Sequence, residues 1–253
     1  MSTPLLLIDA GNTRLKWAIT TSTGTIRAAG DIDTKIANAT WTRSLAKKYP
    51  KHRVVLSSVV PKLVPSFQRA FAKRLEIVNG TSLALRLEFD YPKPAQLGAD
   101  RLAAAVAAHA EQKWPVIVVN CGTATAFTAL DAKGRLCGGV IAPGLQTQLA
   151  SLIGATSQLP QVDLRAPRRY LGRSTEEAIR SGVLLNFQGG VKEILERLIS
   201  ELATPAPPHI ILTGGHAQHL VGTFDHSATL RPLLVFEGLR IIGLRAFNRA
   251  KTS

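Results

Sequence analysis

Short apolar runs that close on a polar residue recur along the chain. Residues 5–9, LLLID, read as a buried strand ending on a carboxylate. Ala10-Gly11-Asn12-Thr13 is turn chemistry. Arg14–Thr20, RLKWAIT, reads as a second strand, and a Thr23-Gly24 turn leads into a third over 25–30. The same order returns 111 residues on, counting from 9 to 120. Residues 116–120, VIVVN, form an apolar strand closing on Asn120, and Cys121-Gly122-Thr123 is again a Gly-Thr turn. Ala124–Leu130 is a second strand, Asp131-Ala132-Lys133-Gly134 a hairpin turn, and 135–141 a third strand. A unit of strand, Gly-Thr turn, strand, turn and strand therefore occurs twice, as a pattern with low identity between the copies.

Helical periods fill the intervals. Apolar positions 63, 64, 67, 70, 71 and 75 predict a helix over 62–75. Residues 101–113 are Ala-rich and read as a helix ending before Pro115. Ser174-Thr175-Glu176-Glu177 is a capping box, opening a long helix to about residue 202 with a bend expected at Gly189-Gly190. The TPAPP segment, 204–208, ends it. His209–Thr213 is a short strand, followed by Gly214-Gly215 and a short helix, and 237–250 is a last amphipathic helix. The class is α/β. The natural boundary falls near residue 113, giving two similar lobes, 1–113 and 114–253, with a central cleft between them.

Composition narrows the setting. The chain has 253 residues, enough for one large domain or two small ones, and 45% hydrophobic content supports a buried core. Lys plus Arg is 31 against 17 Asp plus Glu, a net charge of +14. That balance suits a polyanionic partner: nucleic acid, a nucleotide or an acidic membrane surface. Two cysteines, Cys121 and Cys137, make no disulfide framework and no CxxC pair, which fits a reduced, cytoplasmic setting. The first apolar run is too short for a signal peptide, and no run approaches the ~18 apolar residues of a membrane span. The sequons at Asn38 and Asn79 are accordingly expected to stay unmodified.

The repeated turns carry candidate chemistry. Successive backbone N–H groups in a glycine turn can cradle phosphate oxygens. Thr13 and Lys16 add a hydroxyl and a charge, and Asp9 can hold Mg²⁺ directly or through water, since hard cations prefer carboxylate oxygen. Gly122-Thr123 offers a matching anion clamp, so two turns facing each other across the cleft would grip a triphosphate. Ordinary hairpin chemistry also explains either turn alone. No Walker A, no GxGxxG after a strand and no protein-kinase signature is present. In Leu97-Gly98-Ala99-Asp100-Arg101, Asp100 sits at a helix start, where a carboxylate also serves the helix dipole. Its chemical reading is a general base on a hydroxyl, with Arg101 holding an anionic group of the substrate. Tyr91-Pro92 lies in a loop that could cover a small ligand.

Together these residues resemble the type III pantothenate kinase family, also called the Bvg accessory factor family. The motifs are DAGNTRLKW (9–17), LGADR (97–101), CGTAT (121–125), GGVIAPGL (138–145), GRSTEEAIRSG (172–182) and TGG (213–215), in the family's order. The resemblance implies a duplicated ribonuclease H-like, actin-like ATPase fold. It implies a transferase that phosphorylates the primary hydroxyl of pantothenate with ATP, the first step of coenzyme A synthesis. It further implies a homodimer with the pantothenate site at the interface, and Mg²⁺ plus a monovalent cation, K⁺ or NH₄⁺. By position, Asp9, Ala10, Gly11, Asn12, Thr13, Arg14, Leu15 and Lys16 would meet ATP phosphates and Mg²⁺. Gly122 and Thr123 would meet ATP, and Gly214 and Gly215 would flank the adenosine. Gly98, Ala99, Asp100 and Arg101 would bind pantothenate, with Asp100 as catalytic base and Tyr91 and Thr175 also in contact. One motif departs from the pattern. The family's monovalent-cation Asp is here Asn120, and its later Thr-x-Asp is Ala126 and Thr128. An Asn carbonyl can ligate K⁺, with one negative charge fewer.

Two other readings compete. A nucleic-acid-binding accessory protein is motivated by the charge, but the basic residues are scattered. The densest groups are Arg43, Lys47, Lys48, Lys51 and Arg53, and then Arg165, Arg168, Arg169 and Arg173, without a helix-turn-helix, zinc-finger or RNP1 pattern. Another sugar or acetate kinase of the same fold class is the second. His216 and His219 could pair on a metal but lack a third ligand. Cys121 reads as a buried thiol, and Trp17, Trp41 and Trp114 as packing residues. Trp17 alternates with Lys16, so it points to the opposite face of its strand.

Overall fold

The computed structural model describes residues 4–21, 23–167, 169–224 and 226–249. They form two compact units. Unit 1 takes the described residues of 1–113, 134–137 and 233–253, and unit 2 those of 114–133 and 138–232. Arg168, and Ala250 at the expected end of the last helix, lie outside the described residues.

Unit 1 is built on a five-stranded sheet of β1 (Leu5–Ala10), β2 (Arg14–Thr20), β3 (Ile26–Asp33), β4 (Arg53–Ser58) and β5 (Leu75–Ile77), in the order β3-β2-β1-β4-β5. β1 runs antiparallel to β2 and parallel to β4. Leu6, Leu7 and Ile8 are fully buried, so β1 is covered on both faces, as its unbroken apolar run requires. On β2 the exposed residues Arg14 and Lys16 alternate with buried Leu15 and Trp17. Trp17 meets Trp41 edge-on at 5.5 Å, and Trp41 meets Phe67 at 6.4 Å, so both tryptophans are core residues. Three helices follow: α1 (Ala39–Lys48), α2 (Val64–Phe71) and α3 (Ala99–Ala110).

The periodic segment 62–75 is not one helix. A 3-10 turn (Pro61–Leu63), α2 and a second 3-10 turn (Ala72–Arg74) share it, and Leu75 already belongs to β5. Ala72 has φ 45°, which breaks the helix. The Arg74 guanidinium then donates to the carbonyls of Tyr49, Pro50 and His52. The last helix, Leu234–Arg249, groups with unit 1, whereas the sequence expectation put all of 114–253 in one lobe. It packs on the alanine face of α3 and on β1 and β4. Arg53 also stacks on the Phe247 ring and donates to the Phe247 carbonyl at 3.3 Å.

Unit 2 repeats the plan. β6 (Val116–Cys121) runs antiparallel to β7 (Ala124–Leu130). The expected strand 135–141 divides into β8 (Leu136–Gly138) and β9 (Ile141–Pro143). Leu136 exchanges backbone bonds with Glu88 and Asp90, which draws 134–137 into unit 1. Val140 then pairs with Phe127, and β9 continues antiparallel along β7. α4 (Leu145–Gly154) and α5 (Thr175–Leu202) follow, then β10 (His209–Thr213) and β11 (Ala228–Leu230). β10 is parallel to both β6 and β11. In each unit the first strand thus has an antiparallel neighbour on one side and a parallel one on the other. α5 runs unbroken through Gly189-Gly190 and ends at Ala203 in a left-handed cap. Among the described residues no helix is long and apolar enough to cross a membrane.

Candidate active site

Asp9 stands near the end of β1, in register with Lys16 across β2 and with Ser57 across β4. The Ser57 hydroxyl donates to Asp9 Oδ1 at 3.1 Å. Burial, and next the neighbouring Asp100 carboxylate, push the Asp9 pKa up to about 7, against the Ser57 hydrogen bond and the Lys16 charge. Two carboxylates of unit 1 therefore share one electrostatic environment. β1 and β2 are joined by the turn Gly11-Asn12-Thr13, closed by the Gly11 N–H donating to the Arg14 carbonyl at 3.1 Å. Asn12 and Thr13 are exposed, as are Arg14 and Lys16, while Ala10 and Leu15 are fully buried. Arg14 is engaged by Asp31, its Nε donating to Oδ2 at 2.9 Å.

Asp100 is the second residue of α3, not its cap; Gly98 occupies the cap with no side chain to offer. Burial raises the Asp100 pKa, while the backbone N–H groups of Arg101 and Asp100 itself, and then the Arg101 charge, pull it down. A buried carboxyl whose affinity for protons is raised is the form a general base takes. Burial lowers the Arg101 pKa, and the nearby Asp100 and Tyr91 counter it. Arg101 is thus within electrostatic reach of Asp100 and of Tyr91, and Asp100 of Asp9. Ala99, the first residue of α3, is buried.

Unit 2 gathers a second set. Asn120 stands one residue before the end of β6, in register with Ala126 on β7 and Thr213 on β10. The Gly122 N–H closes the turn on the Ala124 carbonyl at 3.0 Å, and Thr123 is exposed. Gly214, at φ 91°, lies so close to the Cys121 backbone that a Cβ there would stand 2.6 Å from its carbonyl oxygen. Only glycine fits on both counts. The His216 N–H donates to that same carbonyl at 3.2 Å. Asn120, Gly122, Thr123, Gly214 and Gly215 therefore form one group. Thr175, also in unit 2, is the exposed first residue of α5. Its cap is Ser174, whose Oγ accepts from Glu177 N at 3.2 Å, while Glu177 Oε2 accepts from Arg173 N at 2.7 Å. The capping box thus closes one residue further out than its motif predicts.

The remaining candidates belong to neither set. Burial pushes the Cys121 thiol up to about 12, which leaves no thiolate at neutral pH. The His216 and His219 rings stack at 6.1 Å, and among the described residues no group of three or more His, Cys, Asp or Glu could hold a metal. In the densest basic group, Arg53 is spent on Phe247 and Lys48 lies over the Tyr49 ring at 5.7 Å. Four partners of the turns were not singled out by sequence reasoning: Thr34, Ser57, Gly144 and Thr147. Ser57 left a trace as the polar end of the apolar run RVVLSS, and Gly144 lies within the GGVIAPGL motif.

The two sheets and their turns have the actin-like ATPase fold. Solved structures of that fold align over nearly the whole chain. A Baf family protein of Campylobacter jejuni gives a TM-score of 0.63 at 22% identity, covering 96% of this chain and 100% of that one. The activator of 2-hydroxyisocaproyl-CoA dehydratase from Clostridium difficile, with bound ADPNP, gives 0.55 at 14% identity, covering 98% and 96%. Residues 5–197 match the family model of type III pantothenate kinase, and the chain belongs to that family. The type III pantothenate kinase of Methylacidiphilum infernorum is 33% identical over 239 residues, covering 94% of this chain and 88% of that protein. That of Akkermansia muciniphila is 34% identical over 236 residues, covering 93% and 96%.

Proposed function

We infer that this protein transfers the γ-phosphoryl group of ATP to the primary hydroxyl of pantothenate, giving 4′-phosphopantothenate for coenzyme A synthesis. Family membership supplies the reaction. The observation that carries it to named residues is the coupling of Asp9 to Asp100 within unit 1. Phosphoryl transfer asks the protein mainly for positioning and charge neutralisation. Asp9 would hold Mg²⁺, directly or through water; a carboxylate beside a second carboxylate leaves negative charge for a cation to offset. Bound there, Mg²⁺ would neutralise charge on the phosphates. Gly11 to Lys16 would meet phosphate, Ala10 and Leu15 through their backbone alone. Gly122 and Thr123 would also contact ATP, and Gly214 and Gly215 its adenosine. Asp100 would accept the hydroxyl proton, with Gly98, Ala99, Arg101, Tyr91 and Thr175 binding pantothenate.

The Asn120 group does not suit a monovalent cation held by charge. Asn120 offers a neutral amide oxygen, and its register neighbours Ala126 and Thr213 add no charge for K⁺ or NH₄⁺. The protein is proposed to act in the cytoplasm as a homodimer. The test is a coupled assay with ATP, Mg²⁺, NH₄⁺ and pantothenate against the same mixture without pantothenate. ADP release that depends on pantothenate supports the reading. Salt-sensitive DNA retention with no ATP turnover overturns it in favour of a nucleic-acid-binding role.

A further inference from the structure

Each phosphate turn is held from behind by a threonine that enters at the same stage of its unit. In unit 1, Thr34 follows directly on β3. Its hydroxyl donates to the Gly11 carbonyl at 2.7 Å, and its N–H to the Thr13 carbonyl at 3.0 Å. In unit 2, Thr147 stands in the first turn of α4, just after β9. Its hydroxyl donates to the Thr123 carbonyl at 2.5 Å, and the Gly144 N–H reaches the same oxygen at 3.0 Å. Gly144 lies against the backbone of Gly122 and Thr123 with no room for a Cβ.

The consequence follows from peptide geometry. In a trans peptide the C=O and the next N–H point in opposite directions. Binding the Gly11 carbonyl to Thr34 therefore turns the Asn12 N–H the other way. Binding the Thr123 carbonyl to Thr147 does the same for the Ala124 N–H. A turn carbonyl facing an anion repels it, whereas an N–H attracts it. A flip of either peptide would exchange one for the other. Asn12 and Thr123 are exposed.

We propose that Thr34 and Thr147 are matched positioning residues, each fixing the peptide orientation of one turn so that its amides meet the nucleotide's phosphates. The inference rests on the nucleotide reading of the two turns given above. It adds that their affinity for phosphate depends on two hydroxyls that donate to the turns' own carbonyls.

The test compares Thr34→Val, Thr34→Ser, Thr147→Val and Thr147→Ser in the full chain. Valine keeps the shape and removes the hydroxyl; serine keeps the hydroxyl. Calorimetry would measure Mg²⁺-tripolyphosphate, MgADP and adenosine, and the coupled assay would give KM for ATP and for pantothenate. Each valine variant is expected to weaken tripolyphosphate and MgADP about tenfold, equivalent to ~1.4 kcal/mol. It should raise KM for ATP similarly, with adenosine affinity and KM for pantothenate unchanged. Each serine variant should return to within about twofold of wild type, since it restores the hydrogen bond. Valine variants that bind tripolyphosphate normally overturn the inference. So do variants that lose adenosine and tripolyphosphate alike, or serine variants as weak as valine. Wild-type protein that binds MgADP but ignores pantothenate would instead defeat the proposed reaction while leaving the positioning result readable.

Discussion

The two turns share a backbone plan and differ in charge. Each follows a buried parallel strand, closes on itself by one N–H, and is clasped by a threonine hydroxyl. In unit 1 the strand carries Asp9, faced by Lys16 and Ser57; in unit 2 the matching places are Asn120, Ala126 and Thr213. One turn is ionic and the other neutral. The difference separates two tasks. Cradling phosphate needs backbone amides, which any hairpin of this shape supplies. Holding a divalent cation and moving a proton need titratable oxygen, and one copy of that chemistry serves a single transfer. On the proposed reading the reacting carboxylates belong to unit 1, and the contrast can be broken there first.

The largest effect is expected from Asp100→Asn. The change keeps the shape of the side chain and removes the base, so kcat should fall by roughly 10²–10⁴-fold while the melting temperature stays close to wild type. Steady-state rates beside a thermal melt check it. A variant retaining most of its kcat would remove Asp100 from the mechanism and leave unit 1 no more chemical than unit 2.

Asp9→Asn comes next, with an expected loss of about 10²–10³-fold in kcat/KM, the scale of one lost electrostatic contact at the reacting group. It also has a stability signature. The folded pKa of Asp9 is raised to about 7, above the ~3.9 of an unfolded Asp. Between those values the native state binds more protons than the unfolded one, so stability falls as pH rises through that window. Ligand-free wild type should then be less stable at pH 8 than at pH 5 by an amount that Asp9→Asn removes, on the order of 2–4 kcal/mol. Urea melts at the two pH values measure it; parallel slopes for variant and wild type would contradict the buried, coupled carboxylate. Activity should run the other way, rising through pH 7 as Asp9 ionises.

Much of this was legible in the chain. β1, β2, β6, β7 and β10 stand within a residue of their expected bounds because an apolar run ending in a polar residue and a glycine turn is a local signal. Asp9, Asp100 and the two turns were marked for the same reason. The clamps were not. Thr34 and Thr147 lie 23 and 24 residues from the carbonyls they hold, and nothing local distinguishes them from surface threonines. Helix α1 and strand β4 were passed over between clearer signals. The segment 62–75 misled because its helical period persists past Ala72, where the backbone turns. Register decides the rest: that Ser57 faces Asp9 is a fact of parallel pairing between β1 and β4, which periodicity does not encode.

Asn120→Asp would make unit 2 resemble unit 1. Wild-type turnover is expected to respond weakly to K⁺ or NH₄⁺, and the new carboxylate to lower the half-saturating K⁺ concentration about tenfold, the reach of ~1.4 kcal/mol. Cation titrations of both proteins in a choline background decide it. Wild type that is silent without K⁺ would show that uncharged oxygens suffice, and the contrast between the turns would lose its meaning for cations.

The finest test sets Ser57→Ala against Thr213→Val, the same register position in the two units. The Ser57 hydroxyl donates to Asp9 and holds its pKa down. Its removal leaves burial and the Asp100 charge less opposed, so the Asp9 pKa should climb further. The rising limb of the pH–rate profile should move to higher pH by about one unit, the scale of one hydrogen bond to a charged acceptor after partial replacement by water. Above that limb kcat should be close to wild type, because the Ser57 hydroxyl is spent on Asp9. Thr213→Val sits beside Asn120, which has no proton to lose, so its profile should keep the wild-type midpoint. Equal shifts in both variants would mean that the midpoint reports packing around either strand end rather than the ionisation of Asp9. Shifts in neither would mean that Asp9 does not set it.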